Sequence, residues 1–251
     1  MKILAIDTSS KICSVAITED TNKIIELHSD DEKTHSVKLM PMVDEAFKTT
    51  NLSLDNIDLM ACSVGPGSFT GVRIGIATIK AFNDVKSIPV VGVSSLEGLA
   101  YNMIDENVPT TQLSSTLFCS IIDANNSNVY CGLYRYYNDC LNQVTDLIAE
   151  NIETVTAKID TMINSFSTQF NSIVFIGDGS VAYKDLLNTA FANSNVTLYF
   201  ADEEKNNVNS VSIAKAGYIK FKNGNYGDSS ILSPLYLRKP QAERELEKKN
   251  N

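Results

Sequence analysis

The sequence predicts a mixed α/β fold built twice over, and three observations carry that prediction. Strand-like and helix-like runs alternate along the whole chain. A strand–aspartate–turn–strand unit opens the first half and returns in the second. In both halves a later strand leads through a G-x-G-S turn into a helix. The first half orders its elements βββαβαβα, as expected of mixed sheets covered by helices.

Each element has a local reason. Lys2–Ile6 and Cys13–Thr18 are short β-rich runs around the polar turn Asp7-Thr8-Ser9-Ser10-Lys11, and Lys23–Ser29 completes a meander. His35–Lys48 brings its apolar residues back at helical spacing, with Pro41 removing one backbone donor and bending the helix. Leu59–Val64 is a strand, and a glycine-rich turn then leads into a helix over Phe69–Asp84. Pro89–Val93 and Ser94–Ile104 supply one more strand and helix. Near Glu106 the composition changes, and Asn107–Gln112 reads as a linker, which divides the chain into 1–106 and 107–251. Leu117–Asp123 and Val129–Tyr137 then repeat the opening hairpin. Helices are expected over Thr154–Phe166, Val181–Ala192 and Ser210–Asn223, with a strand at Ser172–Ile176 and a frayed, charged tail from Gln241. Asp7 matches Asp123 at an offset of 116, and Gly65-Pro66-Gly67-Ser68 matches Gly177-Asp178-Gly179-Ser180 at 112.

Composition narrows the function. Hydrophobic residues make up 43% and charged residues 20%, so the 251-residue chain is ordinary for a soluble globular protein and long disorder is excluded. Thirty acidic against 21 basic residues leave a net charge of −9, which disfavours unaided binding to a phosphate backbone. The four arginines (Arg73, Arg135, Arg238, Arg244) are too few for a dense phosphate clamp. No secretory or membrane-spanning run is present, and the five scattered cysteines lack C-x-x-C spacing, so a cytoplasmic protein with free, mostly buried thiols is expected.

Motif chemistry is mostly negative. Gly65 and Gly71 enclose five residues and Val72-Arg73 follow, so this is no P-loop. Ser68 directly follows Gly67, so no hydrolase elbow exists, and Ser68 instead caps the next helix. Asp7-Thr8-Ser9 and Asp123-Ala124 lack the glycine that lets a turn close around phosphate, and Asp7 and Ser9 are expected to bond their own backbone. Weak ATP or ADP binding at Asp7, Thr8, Ser9 and Asp123, as a vestige, stays open. With His28 and His35 as the two histidines, no metal set stands out.

The helix at 69–84 carries more information. Outside a narrow charged stripe of Arg73, Lys80 and Asp84, nearly every position is apolar or small. Such a helix is covered on two sides, one by its own sheet and the other by the rest of the chain or by another protein. Gly71 and Gly75 would admit a close backbone. The wide stripe of 35–48, including Met40, Val43 and Phe47, supports the same reading, and Ile74 and Thr78 complete the partner-binding set.

The strand–Asp–turn–strand openings resemble the actin, Hsp70 and sugar-kinase superfamily, of ribonuclease H-like domains. Ala5-Ile6-Asp7-Thr8-Ser9, Thr34-His35-Ser36, the run from Gly65 to Gly75, Val90–Glu97, Asp123-Ala124, Val129-Tyr130 and Tyr236-Leu237-Arg238 resemble one family in particular. That family is bacterial TsaB (formerly YeaZ), of tRNA threonylcarbamoyladenosine modification. The resemblance implies a non-catalytic, cofactor-free subunit that dimerises through these two helices with the catalytic subunit TsaD, or with itself. It also implies help in recruiting the ATPase TsaE, contact with tRNA only through the complex, and no membrane role. The catalytic relative carries H-x-x-x-H in the first helix, whereas Leu39 follows His35 here. A weak ATP-binding kinase-like enzyme and a self-associating structural protein are the alternatives.

Overall fold

The computed structural model describes residues 1–30, 35–104, 110–165 and 170–238. Strands β1 (Lys2–Asp7), β2 (Cys13–Glu19), β3 (Asn22–Ser29), β4 (Leu59–Ser63) and β5 (Val90–Val93) form one sheet in the order β3-β2-β1-β4-β5. The second sheet has β6 (Thr116–Asp123), β7 (Asn128–Tyr137), β8 (Cys140–Gln143), β10 (Ser172–Ile176) and β11 (Thr197–Phe200) in the order β11-β10-β6-β7-β8. Strand β9 (Ile148–Asn151) pairs with β7 beside them.

The two orders are the same once β1 is matched with β6, β2 with β7, β3 with β8, β4 with β10 and β5 with β11. Their directions match too. The β1–β2 and β6–β7 pairs are antiparallel, while β1–β4–β5 and β6–β10–β11 run parallel. The repeat expected from two short motifs is therefore present in the strand connectivity. The central strands β1 and β4 are buried almost throughout because both faces of the sheet are covered, which explains their unbroken apolar runs.

Helices fill three layers around the sheets. Helices α1 (His35–Thr50) and α2 (Phe69–Lys86) cover the outer face of the first sheet, through Leu39, Val43, Val72, Ile76 and Ile79. Helices α3 (Ser95–Tyr101) and α8 (Ser210–Lys222) lie between the sheets, where Leu96, Leu99, Ile213 and Ala214 join Ile3, Ala5, Phe118 and Tyr134 in one core. Helix α5 (Ile152–Ser165) and the short α7 (Lys184–Ala190) cover the far side of the second sheet. Helix α8 follows the second sheet in the chain, yet it packs on β1, β2, β4 and β5 of the first.

Several elements differ from expectation. The helix expected over 181–192 is two pieces, α6 (Asp178–Ala182) and α7, because Tyr183 between them leaves helical geometry at φ −113°, ψ 22°. Strand β8 adds to the expected elements: Asn138 and Asp139 at φ 52° and 59° form the two-residue turn that pairs it with β7. The short β9 and β11 also carried no readable alternation. Thr110–Ser114, partly inside the expected linker, forms the short helix α4 with Leu113 buried. The expected break at 106/107 and the charged tail from Gln241 lie outside the described residues. Cys13, Cys62, Cys119 and Cys131 are buried and Cys140 is half-buried, all as free thiols. Burial pushes the Cys13 and Cys62 thiols up to about 12, helped by the nearby Asp7.

Candidate partner face and the turn beneath it

Helix α2 starts where β4 ends. Gly65, at φ +99°, turns the chain in a conformation that disfavours a side chain. Ser68 then caps the helix, its Oγ accepting from the Gly71 N–H at 3.1 Å, and Ser87 ends it in left-handed geometry. Helix α1 begins at the buried His35, whose Nε2–H donates to the Lys11 carbonyl at 3.1 Å. The bond ties the start of α1 to the turn between β1 and β2, 24 residues earlier. Among the described residues no three His, Cys, Asp or Glu side chains converge as metal ligands.

The buried side of α2 rests on the Asp7–Ser9 turn. Asp7 Oδ1 accepts from the Ser9 N–H at 3.1 Å, the side chain-to-backbone bond expected of Asp7, and from Ser9 Oγ at 2.6 Å, so the Ser9 hydroxyl bonds the Asp7 carboxylate rather than the backbone. Ser9 O in turn accepts from the Ser68 N–H at 2.7 Å, and Thr8 Oγ1 donates to the Gly71 carbonyl at 2.7 Å. Asp7, Thr8 and Ser9 are 0%, 1% and 4% exposed. The backbone and glycines at the start of α2 therefore close over this turn, leaving no open face on it. Burial raises the Asp7 carboxyl above the usual carboxylate range, against the pull of both Ser9 bonds, and Oδ2 has no hydrogen-bond partner among the described residues.

The seven expected partner residues separate by position. Met40 is 48% exposed, and Phe47, Ile74 and Thr78 are half-buried at the surface. Val43 instead packs in the core under α1. Gly71 and Gly75 are buried, and the close approach they allow is taken by Thr8 of the same chain. The outward side of α2 carries Thr70, Ile74, Ala77, Thr78, Ala81 and Val85, and Val37 of α1 is exposed as well. The helical spacing of Ala77, Ala81 and Val85 was the signal that would have added them to the set.

A clasp outside the helix was not foreseen. Tyr236, near the end of the described chain, stacks on Phe69 with centroids 4.8 Å apart, and Arg73 lies 3.8 Å over Phe69 and donates from Nε to Tyr236 Oη at 2.6 Å. The Leu235 N–H donates to the Val64 carbonyl at 2.7 Å, so this segment runs across the start of α2.

The second-half counterpart is more open. Asp123 is half-buried, its backbone N–H donates to Asp178 Oδ1 at 3.0 Å, and its Oδ1 accepts from the Asn125 N–H and the Tyr183 hydroxyl. Gly177, at φ +107°, takes the place of Gly65.

A family model described as TsaD, tRNA N6-adenosine threonylcarbamoyltransferase, matches residues 25–246. The chain belongs to this family. Within it, the motif resemblance to TsaB (YeaZ) proteins holds. The chain is 29% identical, over 97% of its length and 96% of the relative, to the tRNA threonylcarbamoyladenosine biosynthesis protein TsaB of Bacillus subtilis. It is 37% identical to TsaB of Escherichia coli over 54% of this chain and 55% of that one. Among solved structures, YeaZ from Pseudomonas aeruginosa superposes with a TM-score of 0.74 at 22% identity, covering 94% of this chain and 99% of that one. The ROK hexokinase of Thermus thermophilus gives 0.58 at 10% identity, over 89% and 100%. These structures share the fold, so the actin-like and sugar-kinase-like architecture is the right one.

Proposed function

We propose that the chain is a non-catalytic, cytoplasmic subunit of the tRNA threonylcarbamoyladenosine modification complex, pairing through α1 and α2 with the catalytic subunit TsaD. In this reading TsaD binds the metal and transfers the threonylcarbamoyl group, this chain stabilises its active arrangement and helps recruit the ATPase TsaE, and tRNA is reached through the complex. We take 1–106 and 107–251 as its two duplicated units, with α8 lent back to the first. The observation that carries the reading is the surface of α2: Ala77, Ala81 and Val85 are exposed and Ile74 and Thr78 half-exposed along one stripe that the described residues do not cover, and Met40 of the neighbouring α1 is exposed as well.

Self-association has a specific observation in its favour as well. Positions 70 and 85, 74 and 81, and 77 and 78 lie symmetrically about one point, so a second α2 laid antiparallel would meet the same stripe. The kinase-like alternative is weakened by the burial of Thr8 and Ser9. The test is threonylcarbamoyl transfer to tRNA by TsaD, with and without this chain, together with capture of TsaD by Ile74→Arg. We expect transfer to need the chain, the chain alone to be inactive, and Ile74→Arg to lose TsaD while staying folded. Transfer by the isolated chain, or undiminished capture by the variant, would overturn the reading. A charge at Gly75 would not test this face, because Gly75 meets the chain's own turn.

A further inference from the structure

A helix's own hydrogen bonds do not set its height above a sheet; the residues beneath it do. Under α2 those residues are glycines meeting the 7–9 turn. A Cβ at Gly71 would lie 1.9 Å from the Thr8 carbonyl oxygen, and one at Gly75 would lie 2.6 Å from Thr8 Oγ1. Just ahead of the helix, a Cβ at Gly67 would lie 2.2 Å from the Ser9 carbonyl oxygen. Thr8 is 1% exposed, and its hydroxyl spans the gap to donate to the Gly71 carbonyl at 2.7 Å. Gly71, Ile74, Gly75 and Thr78 follow one another at i, i+3, i+4 and i+7, so the seat and the outward stripe share one flank of the helix. Any shift in the seat moves Ile74 and Thr78 directly.

We propose that Thr8 is a positioning residue for partner binding: seated against Gly71 and Gly75, it sets the height and rotation at which α2 presents Ile74 and Thr78. The inference rests on the reading of α2 as the partner-facing helix. It assigns to this buried turn the aiming of a protein surface.

The test measures dissociation of TsaD from the immobilised full-length chain for wild type, Thr8→Val, Thr8→Ser and Gly75→Ala. Ile74→Arg is the control, and each variant's melting temperature is recorded. Thr8→Val should dissociate about tenfold faster, the size of one lost buried hydrogen bond. Thr8→Ser, which keeps the donor, should return to within about twofold of wild type. Gly75→Ala, whose Cβ would meet Thr8 Oγ1 at 2.6 Å, should also dissociate faster, which keeps the test informative if Thr8→Val does not fold. A lowered melting temperature with wild-type dissociation in Thr8→Val and Gly75→Ala would make Thr8 merely structural and overturn the proposal. Unchanged dissociation of Ile74→Arg would instead show that the partner-face reading is wrong, and the inference would fall with it.

Discussion

The two glycine-rich turns begin alike and end differently. Each follows a parallel strand, each opens with a glycine in positive-φ geometry, and each abuts a hairpin whose first residue is aspartate. They diverge one helical turn later. At the 112-residue offset, Gly71 and Gly75 correspond to Tyr183 and Leu187. In the first half the glycines let an 18-residue helix settle on the turn, and Asp7 is sealed beneath it. In the second half Tyr183 stands in that space, the helix breaks into two short pieces, and Asp123 stays half-open with the tyrosine hydroxyl on its carboxylate. Two missing side chains decide whether an ancestral turn is closed from within or left accessible.

The sharpest way to break that contrast is to put a side chain back. Gly71→Ala places a Cβ against a backbone oxygen that cannot move aside, and should cost more than about 3 kcal/mol in urea denaturation. Gly179→Ala, whose Cβ meets the Ile121 side chain at 2.7 Å, should cost roughly 1 kcal/mol. Equal costs would mean that the two turns are equally tight.

The second prediction concerns the sealed carboxyl. Burial holds the Asp7 proton more tightly in the folded protein than in the unfolded chain. The contribution of Asp7 to stability should therefore be fully present below the ordinary carboxylate pKa of about 4, and be lost as pH rises through the raised folded value. Asp7→Asn lacks this decline, so the wild-type melting temperature should drop relative to the variant across that window. Parallel melting curves would show that Asp7 titrates normally.

Smaller effects come from outside the seat. Arg73→Ala removes the ring contact and the bond to Tyr236, and should cost about 1 kcal/mol by denaturant titration. Tyr183→Phe loses one partly exposed hydrogen bond, and should cost about 0.5 kcal/mol. A larger loss in Tyr183→Phe than in Arg73→Ala would make the open turn the more tightly braced of the two.

How far the sequence could be read follows from how local each signal was. The repeat was legible because it rests on short strands, aspartates and glycines whose geometry is set within a few residues. Long amphipathic elements such as α1 and α2 were legible because their period is carried by many side chains. The use of Gly71 and Gly75 was not, since a gap on a helix says that something approaches closely but not what. Val43 was misplaced for a related reason: a wheel shows a wide apolar stripe but not where the sheet's cover ends. The Phe69–Arg73–Tyr236 clasp joins residues more than 160 positions apart, and no local pattern announces such a contact.

Helix α8 has a consequence for how the chain is made. The ribosome delivers all five strands of the first sheet by residue 93, yet the helix that covers their inner face begins only at Ser210. Throughout synthesis of the intervening hundred-odd residues, Ile3, Ala5, Leu59, Ala61 and Val91 lack their native cover. The first half therefore cannot complete its fold as an independent N-terminal unit. A chain truncated before Ser210 should be retained by chaperones rather than released as a smaller folded protein.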